Sequence, residues 1–315
     1  MEDGRFDPRR HDLDGNRLGL NGRMDARTSA IIERAADKAR RHIGNPARAD
    51  ALAVTLGRTT APTPMMFVRY PPCLAMVLHG RKRTLDPDAL ETEWGPESFL
   101  ITPVNLPVIA RVIEVGEEGD FLSLNWRLDP AVVREVSGAL PRDTRSAPPD
   151  RLGATTAEIA DAVDRLLGLL DAPEDAPVLL PLITRELTLR LMRSDQAPRL
   201  HAAAQHAHAD SVSAAIDHFT ADLARSWTID DVAALCHVST ATLTRRFRDI
   251  TGLTPMRYLK RLRLGEARRV LLTEGRSASH AASAVGYLSA AHFSRDYRAA
   301  YQVPPSEDLR RMSRG

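Results

Sequence analysis

The spacing of apolar and polar positions divides this 315-residue chain into stretches of different character. Thr28 heads the first regular stretch, TSAIIERAADKARRHIG, where Ile31, Ile32, Ala35, Ala39 and Ile43 share one helical side. Thr28 is the expected N-cap, and Gly44, Asn45 and Pro46 supply the stop. From about Leu52 to Leu128 the pattern shortens to β-rich runs: MFVRY, CLAMVL, SFLIT, VIARVIEV and FLSLNWRL. Turn residues break them at Pro71-Pro72, Gly80, Asp86-Pro87, Gly95-Pro96 and Glu117 to Asp120. Short strands at this spacing predict a small barrel or sandwich, a shape that often encloses one small ligand. Two amphipathic helices follow the break at Ala147-Pro148-Pro149. One carries Ile159, Val163, Leu166, Leu167 and Leu170, the other Leu179, Leu182, Ile183, Leu187 and Leu191. The polar, small-residue segment RSDQAPRLHAAAQHAHAD reads as a connection.

After Ala209 the strand pattern ends and short helices alternate with brief turns. Val212, Ile216, Phe219 and Leu223 form a packing stripe on the first. Thr228 and Asp231 then have the spacing of a capping pair before IDDVAALCHV, and Ser239 is the natural N-cap of TATLTRRFRDITG, which Gly252 ends. Two short helices joined by a tight turn predict a helix-turn-helix. Leu243 and Phe247 must face its core, which leaves Ala241, Thr244 and Arg245 outward, where Thr and Arg can reach base edges. Thr242, Arg246 and Arg248 complete the candidate surface, the last two arginines as phosphate contacts. A long helix follows, with Thr254 as cap and Pro255 in its first turn, ending at Gly275. The scheme then repeats: SASHAASAVGY, and SAAHFSRDYRAAY with Ser289 as N-cap. Phe293 and Tyr297 stand 50 residues beyond Leu243 and Phe247, Arg295 beyond Arg245, and Ser294 beyond Thr244. Ala290, Ala291, Ser294, Arg295 and Arg298 are the candidate DNA contacts of this second unit.

On IDDVAALCHVSTATLTRRFRDITGLTPMRYLKRLRLGEARRVLL and AASAVGYLSAAHFSRDYRAAYQVPP, the run from Asp210 to Pro305 resembles the DNA-binding domain of the AraC/XylS regulators. The segments PTPMMFVRYPPCLAMVLHGRKR, VIARVIEVGEEGDFLSLNWRLDPAVV and APVLLPLITRELTLRLMR are similar to the N-terminal domain of one branch of that family. The resemblance implies an α+β protein: a cupin-like β-barrel with flanking helices that senses a small molecule, then two helix-turn-helix units joined by a linker helix. Its base-reading positions fall on Ala241, Thr244 and Arg245, and on Ala290, Ala291, Ser294 and Arg295. His292 departs from the small or polar residue expected at its place, and the three alanines offer only methyl contacts. The expected organisation is a flexible tail over 1–25, an effector-sensing domain with dimerisation-type helices over 26–195, a linker over 196–209, the double helix-turn-helix over 210–307 and a tail over 308–315. The expected function is sequence-specific transcription regulation in the cytoplasm under a small-molecule effector. Its expected partners are double-stranded promoter DNA, a second copy of the chain and, for an activator, RNA polymerase.

Charge sharpens this picture. The chain carries 43 basic and 41 acidic residues, yet the part from His208 onward is net +5 and the part before it net −3. Within 245–269, nine basic residues face only Asp249 and Glu266, which suits either a polyanion surface or a solvated helix face. Two distant cysteines, Cys73 and Cys236, argue against a disulfide framework, and there is neither a signal-type leader nor an apolar run long enough to span a membrane. Neither metal nor cofactor is expected. His201, His206, His208 and His218 lack ligand spacing, and His79 stands alone in the β region. Arg81, Lys82 and Arg83 read as a solvated hairpin turn, with contact to an anionic effector as the alternative. Trp94 and Trp126 suit either a pocket lining or a filled core. Phosphate-binding glycine loops, a nucleophile elbow and zinc-protease helices are absent from the sequence. A barrel enzyme on a DNA-targeting module would need an activated cysteine, for which Cys73 is the candidate; a nonspecific architectural binder is the third class.

Overall fold

A computed structural model describes residues 24–85, 91–141, 152–204, 206–274 and 276–312. The expected tail over 1–25 lies almost wholly outside them, as do Ala147-Pro148-Pro149 and residues 313–315. Helices α1 (Ala26–His42) and α2 (Pro46–Ala51) open the described chain. Asp25, not Thr28, caps α1, because its carboxylate accepts from both the Thr28 amide and the Thr28 hydroxyl. A charged acceptor one turn upstream wins the free amides over a neutral hydroxyl. Eight strands follow: β1 (Val54–Thr59), β2 (Met66–Tyr70), β3 (Cys73–His79), β4 (Arg81–Leu85), β5 (Glu91–Trp94), β6 (Ser98–Thr102), β7 (Leu106–Glu114) and β8 (Phe121–Arg127). Helix α3 (Pro130–Ala139) separates them from β9 (Leu152–Ala154), and α4 (Ala157–Gly168), α5 (Ala176–Leu191) and α6 (Ala197–Ala204) come next. The rest is helical: α7 (His206–Ala221), α8 (Ile229–Leu235), α9 (Thr240–Thr251), α10 (Pro255–Glu274), α11 (Ala278–Ala284), α12 (Ala290–Tyr301) and α13 (Pro305–Met312). The expected division into a β-rich half with flanking helices and an all-helical half is therefore what the chain adopts.

The strands form two antiparallel sheets, ordered β1-β8-β3-β6-β9 and β2-β7-β4-β5, rather than a closed cylinder. Pro71 and Pro72 lie where the chain leaves the second sheet for the first, and two residues without the usual backbone freedom and donors cannot extend the ladder there. Gly80 makes the reverse crossing at φ +81°, and a Cβ on it would meet the Glu114 carbonyl at 2.6 Å.

Alternation along β3 shows how the layers stack. Leu74, Met76 and Leu78 join the core shared with α1, α4 and α5, whereas Cys73, Ala75 and Val77 face a second core with Tyr70, Trp94, Val108, Ala110 and Val112. The five-stranded sheet is thus buried on both faces, which is why β3 is almost wholly apolar. On β7, Ile109 points the other way, into a third core with Leu264, Ala267 and Val270 of α10. The order of layers is helices, sheet, sheet, and then the linker helix of the other half.

Three assignments change. Arg81, Lys82 and Arg83 form strand β4, not a solvated turn, and Lys82 is buried. The expected linker over 196–209 contains α6, whose Ala197, Arg199, Leu200 and His201 are buried. The expected tail from 308 contains most of α13, with Asp308 buried. In each case tertiary packing buries residues whose local composition is that of a loop.

One ion cluster ties the outer helix layer to the first sheet. Asp120 is fully buried, and its carboxylate accepts from Arg40 Nε at 3.0 Å and Arg58 Nε at 2.9 Å, with His79 Nδ1 at 3.0 Å. The Arg40 guanidinium, supported by His79 and Arg58, holds the Asp120 carboxyl down to about 2 against the opposing effect of burial. A carboxylate whose folded value is depressed contributes stability that is full above its unfolded value and lost as pH falls through the folded one. Asp120→Asn therefore lowers the unfolding free energy by about 2 kcal/mol at pH 7, and the difference narrows between about pH 5 and pH 2. Urea unfolding of both proteins across that range checks it.

Candidate nucleic-acid interface

Each helix-turn-helix unit starts from its caps. Thr228 and Asp231 make a reciprocal capping box on α8. Ser239 accepts from the Thr242 amide to cap α9, and Ser289 accepts from the His292 amide to cap α12. Helices α9 and α12 are both 12 residues long, and both end in a left-handed residue, Gly252 at φ 68° and Gln302 at φ 62°. Leu243 and Phe247 are fully buried in one unit, Phe293 and Tyr297 in the other. The repeat legible in the sequence is therefore a repeat in space of caps, helix length and inward pairs.

With those pairs inward, most of the candidate contacts are outward. Ala241, Arg245 and Arg248 on α9 are exposed, as are Ala290, Ala291, Ser294, Arg295 and Arg298 on α12. Thr242 and Thr244 are half-buried, and the Thr242 hydroxyl accepts from Ser239 Oγ at 2.9 Å. Arg246 departs from its expected role: its Nη1 donates to Ser211 Oγ of α7 at 3.0 Å, bracing α9 within its own domain. His292 is exposed beside Tyr287, and Nε2 lies 3.6 Å from Asp296. Asp296 also accepts from Lys260 Nζ at 2.6 Å and the Tyr287 hydroxyl at 3.1 Å, which pins α12 to α10.

The linker helix carries a second function that the sequence reading missed. Over 20 residues α10 spans about 30 Å, and one side of it lies on the four-stranded sheet. Tyr258 donates to the Asn105 carbonyl at 2.6 Å and Arg261 Nη1 to the Pro107 carbonyl at 3.3 Å. Arg268 is buried, donating to the Met65 carbonyl and, through Nε at 2.9 Å, to Asp308. Its guanidinium also lies 4.5 Å over the Tyr301 ring, while Tyr297 donates to Asp308 at 2.6 Å. Arg263 donates to the Leu223 and Arg225 carbonyls. Several of the nine basic residues in 245–269 thus hold backbone carbonyls rather than a polyanion. Gly265, in mid-helix, was the available signal: a Cβ there would meet the Phe67 ring at 2.3 Å.

His201 is buried with Nδ1 2.9 Å from Ser137 Oγ, and among the described residues no group of three or more His, Cys, Asp or Glu could hold a metal. Trp94 and Trp126 are both buried. No described helix is long and apolar enough to cross a membrane.

Two outcomes follow from this geometry. Gln302 pays the Cβ penalty of a left-handed cap, so Gln302→Gly raises the unfolding free energy by about 1 kcal/mol, measured by urea denaturation. Gly265→Ala lowers stability despite the better helix former, and the loss is relieved in a Phe67→Ala background; a double-mutant cycle reads that coupling directly.

Residues 51–199 match the family described as AraC-type transcriptional regulator N-terminus, and residues 232–311 match a helix-turn-helix domain family. The chain is 40% identical over 91 residues to the HTH-type transcriptional activator RhaS of Escherichia fergusonii, covering 29% of this chain and 31% of that one. It is 32% identical over 160 residues to the probable thc operon regulatory protein of Rhodococcus erythropolis, 47% of each chain. The matched stretches thus span between about a third and a half of those relatives. Among solved structures, ToxT from Vibrio cholerae O395 aligns over 83% of this chain and 98% of that one, with a TM-score of 0.46 and 10% identity. The chain belongs to the AraC family of transcriptional regulators.

Proposed function

We propose that this chain regulates transcription by reading promoter DNA with α9 and α12 while its N-terminal sandwich holds a small-molecule effector. The observation that carries the reading is the repeat of one capped 12-residue helix at both ends of α10, each with an exposed arginine at the same place, Arg245 and Arg295. The rod's length of about 30 Å approaches the roughly 34 Å between successive turns of the major groove. Ala241, Thr244 and Arg245, with Ala290, Ala291, Ser294 and Arg295, are assigned to base edges. Arg248 and Arg298 are assigned to phosphates, and Thr242 to the capped end of α9 that approaches the backbone.

The effector half has a direct mechanical route to this surface, because Phe67 of β2, Pro107 of β7 and Met65 just before β2 seat α10. A ligand moves that contact only if it binds the two arrangements with different affinity. A second copy of the chain is the assigned partner of α5, which exposes Val178, Leu179 and Leu182. The cytoplasm is the assigned location. An alkyl-transfer enzyme would need a thiolate, whereas burial pushes the Cys73 thiol up to about 11.

Genome-wide mapping of bound DNA supplies the site, and gel-shift titration on it supplies the test. Arg245→Ala and Arg295→Ala each weaken specific binding by about 1–3 kcal/mol and relax base preference at one position. Unchanged affinity and preference in both variants would mean that the helices bind DNA without reading it.

A further inference from the structure

We propose that Lys82, with Tyr70 and Trp94, anchors a small monocarboxylate between the two sheets of the N-terminal half. The inference rests on reading that half as the effector-holding one, and it names the chemical class of the effector.

A buried cation is ordinarily paired with an anion, because the ammonium loses its hydration on entering the protein. Lys82 is only 5% exposed, and among the described residues no carboxylate lies within ion-pair distance of it. Its neighbours in sequence are paired, Arg81 with Glu97 and Arg83 with Glu93, both toward the rim. Register explains the difference: Lys82 stands opposite Trp94 on β5 and Val112 on β7, both of which belong to the core between the sheets. The ammonium donates to the Tyr70 hydroxyl at 3.0 Å and lies 4.1 Å from the centroid of the Trp94 ring and 5.5 Å from that of Tyr70. Aromatic faces stabilise a cation but do not neutralise it.

A second, independent observation lies in the same place. Trp94 is fully buried, and its indole N–H has no acceptor. The Tyr70 hydroxyl, having accepted from Lys82, still has its own proton to give. Ammonium, indole and phenol therefore all offer donors to one another's surroundings, and only an acceptor complements the set. One cation balances one negative charge, so a carboxylate leaves no net charge buried, whereas a phosphate or dicarboxylate would. The core to which they belong is apolar and includes Val77, Val112 and Phe121, which suits an aliphatic or aromatic body on the acid. Tyr70 ends the strand that begins beside Met65 and carries Phe67, the contacts of α10, so an anion drawn onto Lys82 and Tyr70 acts on the strand that seats the rod.

Thermal unfolding of the full-length protein with butanoate, octanoate and benzoate, each set against 1-butanol, 1-octanol and benzyl alcohol, tests the proposal. The expected result is a saturable rise in Tm, with a change in tryptophan emission, for at least one acid and not for its alcohol. Lys82→Met abolishes that rise and leaves the unliganded Tm equal or higher, and Tyr70→Phe weakens binding by about tenfold. Absence of a rise with every acid, an equal rise with acid and alcohol, or a rise retained by Lys82→Met overturns the proposal. Should Lys82→Met not fold, the acid–alcohol contrast and Tyr70→Phe decide alone. Wild-type DNA binding is measured on the same preparation: DNA binding without carboxylate binding sinks this site only, and carboxylate binding without DNA binding sinks the reading of the helical half.

Discussion

The close approach of α10 to the second sheet is the contact on which the rest of the molecule depends. It is possible because Gly265 has no side chain where the Phe67 ring lies, and it is fixed by hydrogen bonds from Tyr258, Arg261 and Arg268 to backbone carbonyls. Packing without a Cβ brings the helix near enough for long side chains to reach those carbonyls, and the buried carbonyls then need the donors. Arg268 extends the same contact into the second helix-turn-helix unit through Asp308, Tyr297 and Tyr301. Rod, sheet and α12 are thereby one packed assembly.

Electrostatics in this protein is a matter of placement more than of amount. The basic run 245–269 contains arginines with three different tasks. Arg245 and Arg248 face solvent, Arg246 braces α7, and Arg261, Arg263 and Arg268 satisfy carbonyls. A count of charges treats these alike, whereas a guanidinium that has given its donors to buried carbonyls offers little to a phosphate. The acidic side shows the same logic. Asp120 collects Arg40, Arg58 and His79 from three elements and so joins the outer helix layer to the sheet.

The double burial of the five-stranded sheet explains why the β-rich half needs its helices. Leu74, Met76 and Leu78 would otherwise face water, and α1, α4 and α5 cover them. That helix layer in turn leaves Val178, Leu179 and Leu182 outside, so the apolar surface is displaced outward rather than removed. The opposite face of the sandwich is closed by α10 and not by a helix of its own. The two halves therefore share a boundary that neither completes alone.

Local rules were enough for much of this. Strands β2, β3, β6, β7 and β8, the capped helices α8, α9 and α12, and the inward pairs Leu243–Phe247 and Phe293–Tyr297 all follow from period, caps and turn residues, because each depends on neighbours within a few positions. Strands β1, β4, β5 and β9 escaped that reading, as did helices α2, α6 and α13, since their sequences are polar, short or small and become regular only by pairing or packing with distant chain. The same limit applies to side chains. Whether Lys82, Arg246 or Arg268 meets water or protein is set by what another element places opposite, and Gly265 hinted at a close neighbour without saying which. Sequence by itself determined the two capped helices α9 and α12 and five of the sandwich strands; only the tertiary structure decided which arginines stay exposed and that α10 is seated on the β-rich half, because burial is a property of pairs of surfaces and not of one stretch of chain.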